Sequence, residues 1–387
     1  MTRKSEAATR RKQLGAWYTP PALVRAVVGE AVFPGARRVL DPACGDGRFL
    51  HATDLPEQVG VDIDPTTPFQ HDDSLQRDWG DERFDVVVGN PPFLSQLAAA
   101  TTRGGRSVHG GGPYADTAAE FLALAIRLTR VGGRVGLVLP QSLLSARDAG
   151  PIRSFVEQSA ALRWMWWSDD HHFDAAVRVW AGVWEVGGEQ ELVRRQFGGD
   201  FADVESMAMP RHWASLLTGT TSPDAAGPTL GSIATFTADF RDQYYGLIGA
   251  VGDEVDGPPL VTSGLIDPGR CLWGERPVRF AKARYERPRV ALDALSPAMR
   301  SWADARLVPK ILIANQTKRI EAVHDQGGAW LPGVPVITCV TPHPERVLRV
   351  LSSDAATQFV HARAAGSGLS AGTVRLSPRL LTEIPLP

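Results

Sequence analysis

The stretch RFDVVVGNPPF, residues 83–93, passes from three consecutive valines through a glycine and an asparagine to two prolines and a phenylalanine. An uninterrupted apolar run of this kind is typical of a strand buried on both faces of a parallel sheet. Proline has no backbone N–H to donate to a neighbouring strand, so Pro91 and Pro92 mark the end of this one. The sequence therefore predicts that Asn90 and Phe93 are held rigidly at the carboxyl end of a buried strand.

The other strands of the predicted sheet lie on both sides of this stretch along the chain. Residues 39–47 (VLDPACGDG), 57–65 (EQVGVDIDP) and 134–140 (RVGLVLP) each contain an apolar strand, and tryptophan-rich runs at 161–167 and 177–186 predict an antiparallel pair. Strands that alternate with helices and tight loops indicate a sheet covered by helices on both faces. The predicted fold is therefore α/β, with a Rossmann-like sheet that is mostly parallel and whose last strand is antiparallel.

Composition divides the chain into parts. Residues 1–14 are basic and predict a mobile arm, and residues 15–190 contain the predicted sheet. Glycine, proline, serine and threonine dominate residues 191–229, which predicts a junction, and residues 230–387 predict a second domain of mixed α/β structure. The glycine-rich residues 101–113 predict a mobile loop that follows NPPF closely.

The net charge of −2 is unevenly distributed. Residues 41–90 carry twelve acidic against three basic residues, whereas residues 270–320 carry twelve basic against four acidic ones. The first region suits a cationic or hydroxyl-rich ligand and the second suits an anionic one. The cysteines form no CxxC pair, which argues against a disulfide framework or a zinc site. Because the sequence also lacks an apolar run of membrane-spanning length and a signal-peptide core, we expect a cytoplasmic protein without membrane contact.

Three loops at the predicted carboxyl edge of the sheet suit a nucleoside. In DPACGDG the glycines allow a ligand to approach the backbone, and Asp41 can hold an ammonium group. Asp62 directly follows the second strand, where a carboxylate can accept both ribose hydroxyls, and HDDSL at 71–75 offers a carboxylate for an exocyclic amine. S-adenosylmethionine combines these parts with a sulfonium cation. A dinucleotide is the alternative, but it requires GxGxxG, and Asp46 in this turn would repel a pyrophosphate.

The NPPF segment has the groups needed to activate a planar amino group. The amine of adenine or cytosine is a poor nucleophile because its lone pair is delocalised into the ring. The Asn90 side-chain oxygen and the Pro91 carbonyl can each accept one amine hydrogen, which turns the lone pair toward a sulfonium methyl and stabilises the charge developing on nitrogen. Pro91 and Pro92 fix that carbonyl in advance, and Phe93 offers a flat face for the base. For NPPF alone, a strand-terminating turn with a buried ring is the alternative.

A base inside a duplex must be flipped out before it can enter such a pocket. Phe173, between the two tryptophan-rich runs, is the candidate for a second ring against the flipped base. His171 and His172 are its neighbours, but adjacent residues of an extended chain point in opposite directions. We therefore predict no metal site.

The order of these motifs resembles that of the gamma-class adenine-N6 DNA methyltransferases of restriction–modification systems. The matching segments are GAWYTPPALV, VLDPACGDGRFL, GVDIDP, FDVVVGNPPF and GGRVGLVLP, all within residues 12–185. The resemblance implies that residues 15–190 are a catalytic domain dependent on S-adenosylmethionine, and that residues 230–387 are a target-recognition domain that binds DNA.

The resemblance also implies roles for individual residues. Asp62 would bind the ribose, Asp73 the adenine amine, and Cys44 would pack and not react. The residues around the cofactor would be Thr19, Pro20, Asp41, Ala43, Cys44, Gly45, Asp62 and Asp73. The catalytic tetrad would be Asn90, Pro91, Pro92 and Phe93, with Phe173 as the second stacking ring. Little sequence separates GVDIDP from HDDSL, so the helix usual at this point is short or missing, and the choice between Asp72 and Asp73 stays open.

Basic residues of the second domain are the candidates for DNA phosphate contacts, namely Arg276, Arg279, Lys282 and Arg284. The predicted function is methylation of adenine N6 in double-stranded DNA, and a cognate restriction nuclease or the subunits of a defence complex are the candidate partners. Two alternatives stay open. One is methylation of a glutamine amide or an RNA amino group. The other is a non-catalytic DNA-recognition subunit, against which the complete tetrad argues.

Overall fold

The chain forms two compact units, residues 1–219 and residues 220–387, which we call the N-terminal and C-terminal units. The predicted mobile arm, residues 1–14, lies outside the described part of the chain. The structure is a computed structural model that describes residues 19–93, 107–170, 177–221, 227–239 and 241–387.

A nine-stranded sheet forms the centre of the N-terminal unit, in the spatial order β3-β2-β1-β4-β5-β7-β6-β8-β9. Its strands are β1 Arg38–Asp41, β2 Glu57–Asp62, β3 Gln70–His71, β4 Phe84–Gly89, β5 Thr129–Pro140, β6 Ala160–Trp167, β7 Val179–Val186, β8 Val193–Phe197 and β9 Ala202–Met207. Strands β1 to β5 are parallel, and β7 is antiparallel to both β5 and β6. The predicted α/β fold with a Rossmann-like, mostly parallel sheet is confirmed, and the tryptophan-rich runs form the expected antiparallel pair.

Helices cover both faces of this sheet. They are α1 Pro21–Ala31, α2 Arg48–His51, α3 Thr117–Leu128, α4 Gly150–Ser159 and α5 Ser215–Thr218. On one face Val86 and Val88 of β4 join the hydrophobic cluster that contains the buried side of α1, whereas Val87 joins the cluster of α3 on the other face. Because alternate residues of a strand point to opposite faces, burial on both sides explains why the strand sequence is apolar throughout.

The predicted junction over residues 191–229 is wrong for its first half. Strand β8 runs parallel to β6, and β9 pairs antiparallel with β8, so residues 193–207 extend the sheet. The buried residue in the middle of β8 is Arg195, whose guanidinium donates to the carbonyls of Leu216 and Glu205 at 3.0 Å each. Because a charged residue occupies the inward position, the strand lacks the apolar alternation that identifies a half-buried strand in a sequence.

The C-terminal unit is built around a four-stranded antiparallel sheet in the order β10-β22-β18-β20, accompanied by two-stranded ribbons. Its strands are β10 Thr235–Ala238, β11 Val251–Gly252, β12 Leu260–Val261, β13 Ile266–Asp267, β14 Arg270–Cys271, β15 Val278–Phe280, β16 Ala283–Tyr285, β17 Arg289–Val290, β18 Lys310–Ile313, β19 Gln316–Thr317, β20 Ala322–Asp325, β21 Leu331–Pro332, β22 Ile337–Val340 and β23 Val374–Arg375. Its helices are α6 Arg241–Gly246, α7 Pro297–Arg306, α8 Pro344–Leu351, α9 Asp354–Ala364 and α10 Pro378–Thr382. A buried ion pair, Lys310 Nζ to Asp325 Oδ2 at 2.5 Å, ties β18 to β20.

Candidate functional site

Three of the predicted motifs meet at the carboxyl edge of the N-terminal sheet. Strand β1 lies between β2 and β4, and all three run in the same direction. Asp41 ends β1, Asp62 ends β2, and β4 ends at Gly89, one residue before Asn90. The topology therefore brings the DPACGDG loop, the GVDIDP loop and the NPPF segment to one edge, as a ligand site of an open α/β sheet requires.

Asp41 is a buried carboxylate at the centre of this edge, with 1% of its surface exposed. Its Oδ1 accepts a hydrogen bond from the Ala43 backbone N–H at 3.1 Å. Burial, helped by the nearby carboxylates of Asp62 and Asp46, raises the pKa of Asp41 from 3.8 to about 8, although the hydrogen bond from Ala43 lowers it. A Cβ added to Gly89 would lie 2.6 Å from Asp41 Oδ1, so the glycine before Asn90 leaves room for this carboxylate.

Asp62 connects the DPACGDG loop to the GVDIDP loop. Its Oδ2 accepts from the Gly45 backbone N–H at 2.7 Å, and its Oδ1 accepts from the Asp64 N–H at 2.8 Å. Gly45 has a φ of +54°, a conformation that favours glycine, so the loop can turn its N–H toward the carboxylate. Ile63, which follows Asp62, exposes 52% of its surface and presents an apolar side chain beside the acids. Ile63 lies inside the motif GVDIDP and was not among the predicted site residues.

The segment before α1 is joined to the same loop. Arg48 donates to the Thr19 carbonyl at 2.6 Å and forms an ion pair with Asp46 at 2.6 Å. The Thr19 hydroxyl is buried and makes no hydrogen bond within residues 19–93 or the other described ranges. Pro20 is the residue directly before α1. The structure thus joins Thr19 to the DPACGDG loop through Arg48, with Pro20 next to it in sequence.

Cys44 has the surroundings of a packing residue. Its backbone N–H donates to the Val61 carbonyl at 3.0 Å, and its Sγ lies 3.9 Å from the Thr67 hydroxyl. Burial raises the pKa of the Cys44 thiol to about 12, so the thiolate that a nucleophile needs is not formed near neutral pH. Ala43 packs against the hydrophobic cluster of α3.

The two candidates for the adenine amine differ in exposure. Asp72 is exposed, and its backbone N–H donates to the Asp62 carbonyl at 3.0 Å. Asp73 is half-buried, and its Oδ1 accepts from the Leu75 N–H at 3.1 Å. Residues 63–69, between β2 and β3, contain no helix, as the short spacing predicts.

The NPPF residues follow β4 in an irregular extension. Pro91 is buried, whereas Asn90, Pro92 and Phe93 are half-buried. Phe93 packs against the hydrophobic clusters on both faces of the sheet, which fixes its ring at the end of β4. Phe173, predicted as the second ring, lies outside the described residues, as do His171 and His172.

The loop after NPPF is more ordered than predicted where the structure describes it. Glu120 of α3 is buried and accepts hydrogen bonds of 2.6 to 3.1 Å from the Ser107 hydroxyl and the backbone N–H groups of Val108, His109 and Gly111. These bonds fix residues 107–111 against the start of α3. The prediction of a mobile loop is therefore wrong for residues 107–111, because glycine content does not reveal a buried acceptor elsewhere in the chain. Residues 101–106 lie outside the described residues.

The predicted phosphate-binding residues separate into two groups. Arg279, Lys282 and Arg284 line one concavity of about 350 Å³. Arg276 does not line it, since its guanidinium donates to the Gly264 carbonyl at 2.9 Å and lies 3.4 Å from Asp267 Oδ1.

Within the described residues, no three His, Cys, Asp or Glu side chains are placed to hold a metal ion together. The described residues also contain no helix that is long and apolar enough to span a membrane.

Comparison with known proteins relates part of the chain to one family. Residues 53–167 match the family described as Eco57I restriction-modification methylase. The Type II methyltransferase M.TthHB8I of Thermus thermophilus is 33% identical over 177 residues, which cover 38% of this chain and 39% of that protein. The Type I restriction enzyme EcoEI methylase subunit of Escherichia coli is 29% identical over 169 residues, which cover 34% of this chain and 33% of the subunit. The alignments thus span well under half the length of both relatives.

Among solved structures, the Type IIL restriction-modification enzyme MmeI in complex with DNA aligns over 98% of this chain and 65% of that chain. The TM-score is 0.57 at 12% sequence identity, a likeness that concerns the fold alone. The family match covers β2 to β6, including the Asp62 loop and the NPPF segment. Over residues 53–167 the chain is therefore related to the methylases of restriction–modification systems, as the order of its motifs predicts.

Proposed function

We propose that this chain is a DNA methyltransferase that transfers a methyl group from S-adenosylmethionine to adenine N6 of a flipped-out base in duplex DNA. The proposal rests on Asp41, a buried carboxyl group whose pKa is raised. It ends β1, which pairs with β4, the strand that leads into NPPF. A group that can bind the cationic cofactor then lies next to a segment that can activate the target amine. In this proposal the N-terminal unit is catalytic and the C-terminal unit recognises the target.

The residues at the edge fit this cofactor. Asp41 is close enough to Asp62 and Asp46 for their charges to raise its pKa, so a bound ammonium or sulfonium group would relieve the repulsion. The buried Thr19 hydroxyl, which bonds to nothing else in the described chain, supplies a polar contact. Asp62 is proposed to bind the ribose, Asp73 the adenine amine, and Ile63 to pack on the adenine ring.

The bound cofactor supplies an activated methyl group and a positive sulfonium centre. The chain supplies acceptors for the target amine, namely the Asn90 side-chain oxygen and the Pro91 carbonyl. Two hydrogen bonds to the amine localise its lone pair on nitrogen and stabilise positive charge as it develops there. Pro91 and Pro92 restrict the backbone, so these acceptors need little reorganisation. No strong general base is required, because the nitrogen becomes acidic only after it has gained the methyl group.

Phe93 is proposed to stack on the target base, with Phe173 as the second ring. Adenine in duplex DNA is preferred as the target because residues 53–167 match a restriction-modification methylase family. For the same reason a cognate restriction nuclease or other subunits of a defence complex are the proposed partners. A glutamine amide or an RNA amino group is the alternative target, but no observation on the described residues favours it.

The substitution Asn90→Ala tests the proposal. We expect the rate of methyl transfer to fall by at least about a hundredfold, while cofactor affinity stays unchanged. The assay follows transfer of labelled methyl groups to DNA from a methylation-free host, and mass spectrometry of the nucleosides identifies the product. Single-molecule sequencing of DNA from the same host expressing the wild-type chain gives the target site. Full activity of Asn90→Ala would contradict the mechanism, and methylated cytosine, protein or RNA in place of N6-methyladenine would contradict the substrate.

A further inference from the structure

The hairpin β15–β16 of the C-terminal unit turns through a sequence that does not favour a tight turn. Its strands pair antiparallel and leave only Ala281 and Lys282 between them. Both residues have positive φ angles, +48° and +71°, although neither is a glycine. Such two-residue turns usually contain asparagine or glycine, so this turn holds a strained backbone conformation.

Packing on the inner side of the hairpin holds this conformation in place. Val278 and Phe280 are buried, and the Phe280 ring lies 5.0 Å from the ring of Tyr244 between centroids. Because side chains alternate along a strand, Arg279 points away from these buried neighbours and is exposed. Apolar packing thus holds one face of the hairpin, while its basic side chains lie on the exposed face.

The outer face places like charges opposite each other. Arg279 and Arg284 are direct cross-strand partners, an arrangement that destabilises a ribbon unless an anion lies between the charges. Arg284 has a carboxylate neighbour, since its Nε lies 3.2 Å from Glu286 Oε1. Within the described residues, Arg279 and Lys282 have no carboxylate partner and no hydrogen-bond partner.

The hairpin also contributes to a concavity that could accommodate an anion. Its concavity of about 350 Å³ is lined by Arg279, Lys282 and Arg284 together with Pro277 and Val278. The volume is ample for a phosphate group, and guanidinium groups bind phosphate oxygens in a bidentate manner.

We infer that the β15–β16 hairpin binds a backbone phosphate of duplex DNA, with Arg279 and Lys282 as the principal contacts and Arg284 in support. The choice of DNA as the source of the phosphate rests on the proposed function. The inference narrows the predicted set of phosphate contacts, since Arg276 is already neutralised by Asp267 and is not expected to contribute.

The test measures the salt dependence of DNA binding by the full chain. Fluorescence anisotropy of a short labelled duplex is recorded between about 50 and 300 mM KCl for the wild type and for the double variant Arg279→Gln, Lys282→Gln. Each phosphate contact contributes about 0.9 to the slope of log affinity against log salt, so we expect the double variant to lose about 2 from that slope. The matched control, Arg276→Gln, removes one positive charge from the same segment and should leave the slope unchanged.

A second readout separates a binding role from a structural one. Arg279→Gln removes like-charge repulsion, so we expect a thermal midpoint without DNA that is equal to or above that of the wild type, together with weaker DNA binding. An unchanged slope in the double variant would overturn the inference, and so would an equal loss of slope in Arg276→Gln. Inorganic phosphate at matched ionic strength is the competing probe. Competition by phosphate far beyond that of chloride would point to a free anion and overturn the assignment to DNA.

The outcome is independent of methyl transfer. A wild-type chain that binds DNA through the hairpin but transfers no methyl group would contradict the proposed function and leave this inference standing. An active enzyme whose double variant keeps the wild-type slope would support the proposed function and overturn this inference.

Discussion

The N-terminal and C-terminal units each place ionisable groups of one sign close together, acids in one and bases in the other, but in different surroundings. At the carboxyl edge of the N-terminal sheet, Asp41 is buried and its pKa is raised by burial and by the nearby Asp62 and Asp46. On the C-terminal hairpin, Arg279 and Arg284 oppose each other and are exposed to water. Water and salt screen the exposed arginines far more than the buried Asp41. We therefore expect the acidic edge to bind its ligand through a few strong contacts and the hairpin through weak, salt-sensitive ones.

Glu120 of α3 shows how a buried acid can contribute to folding stability and not to ligand affinity. Glu120 is as buried as Asp41, but the donors of residues 107–111 satisfy its carboxylate from within the chain. Asp41 accepts a hydrogen bond from the Ala43 N–H and has two carboxylates nearby. A buried carboxylate that is satisfied internally should contribute to folding, whereas a buried carboxyl group whose ionised form lacks compensation should contribute to binding a cation.

Substitution of Asp62 should have the largest effect on cofactor affinity. Asp62→Ala removes the proposed ribose acceptor, the hydrogen bond from Gly45 that joins the DPACGDG and GVDIDP loops, and the bond from Asp64 within the GVDIDP loop. Hydrogen bonds to a charged group contribute about 1.5–3 kcal/mol each, so we expect the Kd for S-adenosylmethionine to rise by about a hundredfold. Isothermal titration calorimetry measures this directly. Asp54→Asn, which neutralises an exposed carboxylate away from the edge, is the control, and a wild-type Kd in Asp62→Ala would show that the cofactor binds elsewhere.

Substitution of Glu120 should reduce stability instead. In Glu120→Gln one acceptor oxygen becomes an NH₂ group that faces backbone N–H donors of residues 107–111. We expect the free energy of unfolding to fall by about 2 kcal/mol, measured by denaturant titration, with little change in cofactor Kd. Glu189→Gln, at an exposed glutamate of the same unit, should leave both quantities unchanged. A large loss of cofactor affinity with unchanged stability would place Glu120 with Asp41 and remove the distinction.

The meeting of three motifs at one edge of the sheet could be predicted from the sequence, because each motif lies at the end of a strand. Asp41, Asp62 and Asn90 all come at or directly after the end of an apolar run, and the parallel sheet brings such ends together. The charge state of Asp41 could not be predicted, since it depends on burial and on the distance to two other carboxylates.

Other features depend on contacts that no local pattern contains. Strand β8 was missed because its inward residue is Arg195, and the role of Glu120 was missed because a glutamate in a helix is ordinarily solvated. The opposition of Arg279 and Arg284 depends on a two-residue turn without glycine, which turn rules do not predict. In each case a charged side chain occupies a position that its residue type alone would not suggest.

The pH dependence of cofactor binding tests the charge state of Asp41. The pKa of this group is raised from 3.8 to about 8, so the folded protein holds a proton that the unfolded chain releases, and this group's contribution to stability falls as pH rises between these values. A bound cation favours the carboxylate, so binding releases the proton and affinity should rise with pH, by up to about tenfold per unit between pH 6 and 8. Calorimetry in buffers of different ionisation enthalpy measures the released proton.

Asp41→Asn removes the titrating group and keeps its shape, so its affinity should be nearly independent of pH across the same interval. An equal pH dependence in Asp41→Asn would assign the titration to another group. A wild-type affinity that is constant from pH 6 to 8 would mean that Asp41 is ionised in the free protein. The acidic edge would then resemble the hairpin in holding its like charges before the ligand binds, and the contrast between the two regions would be lost.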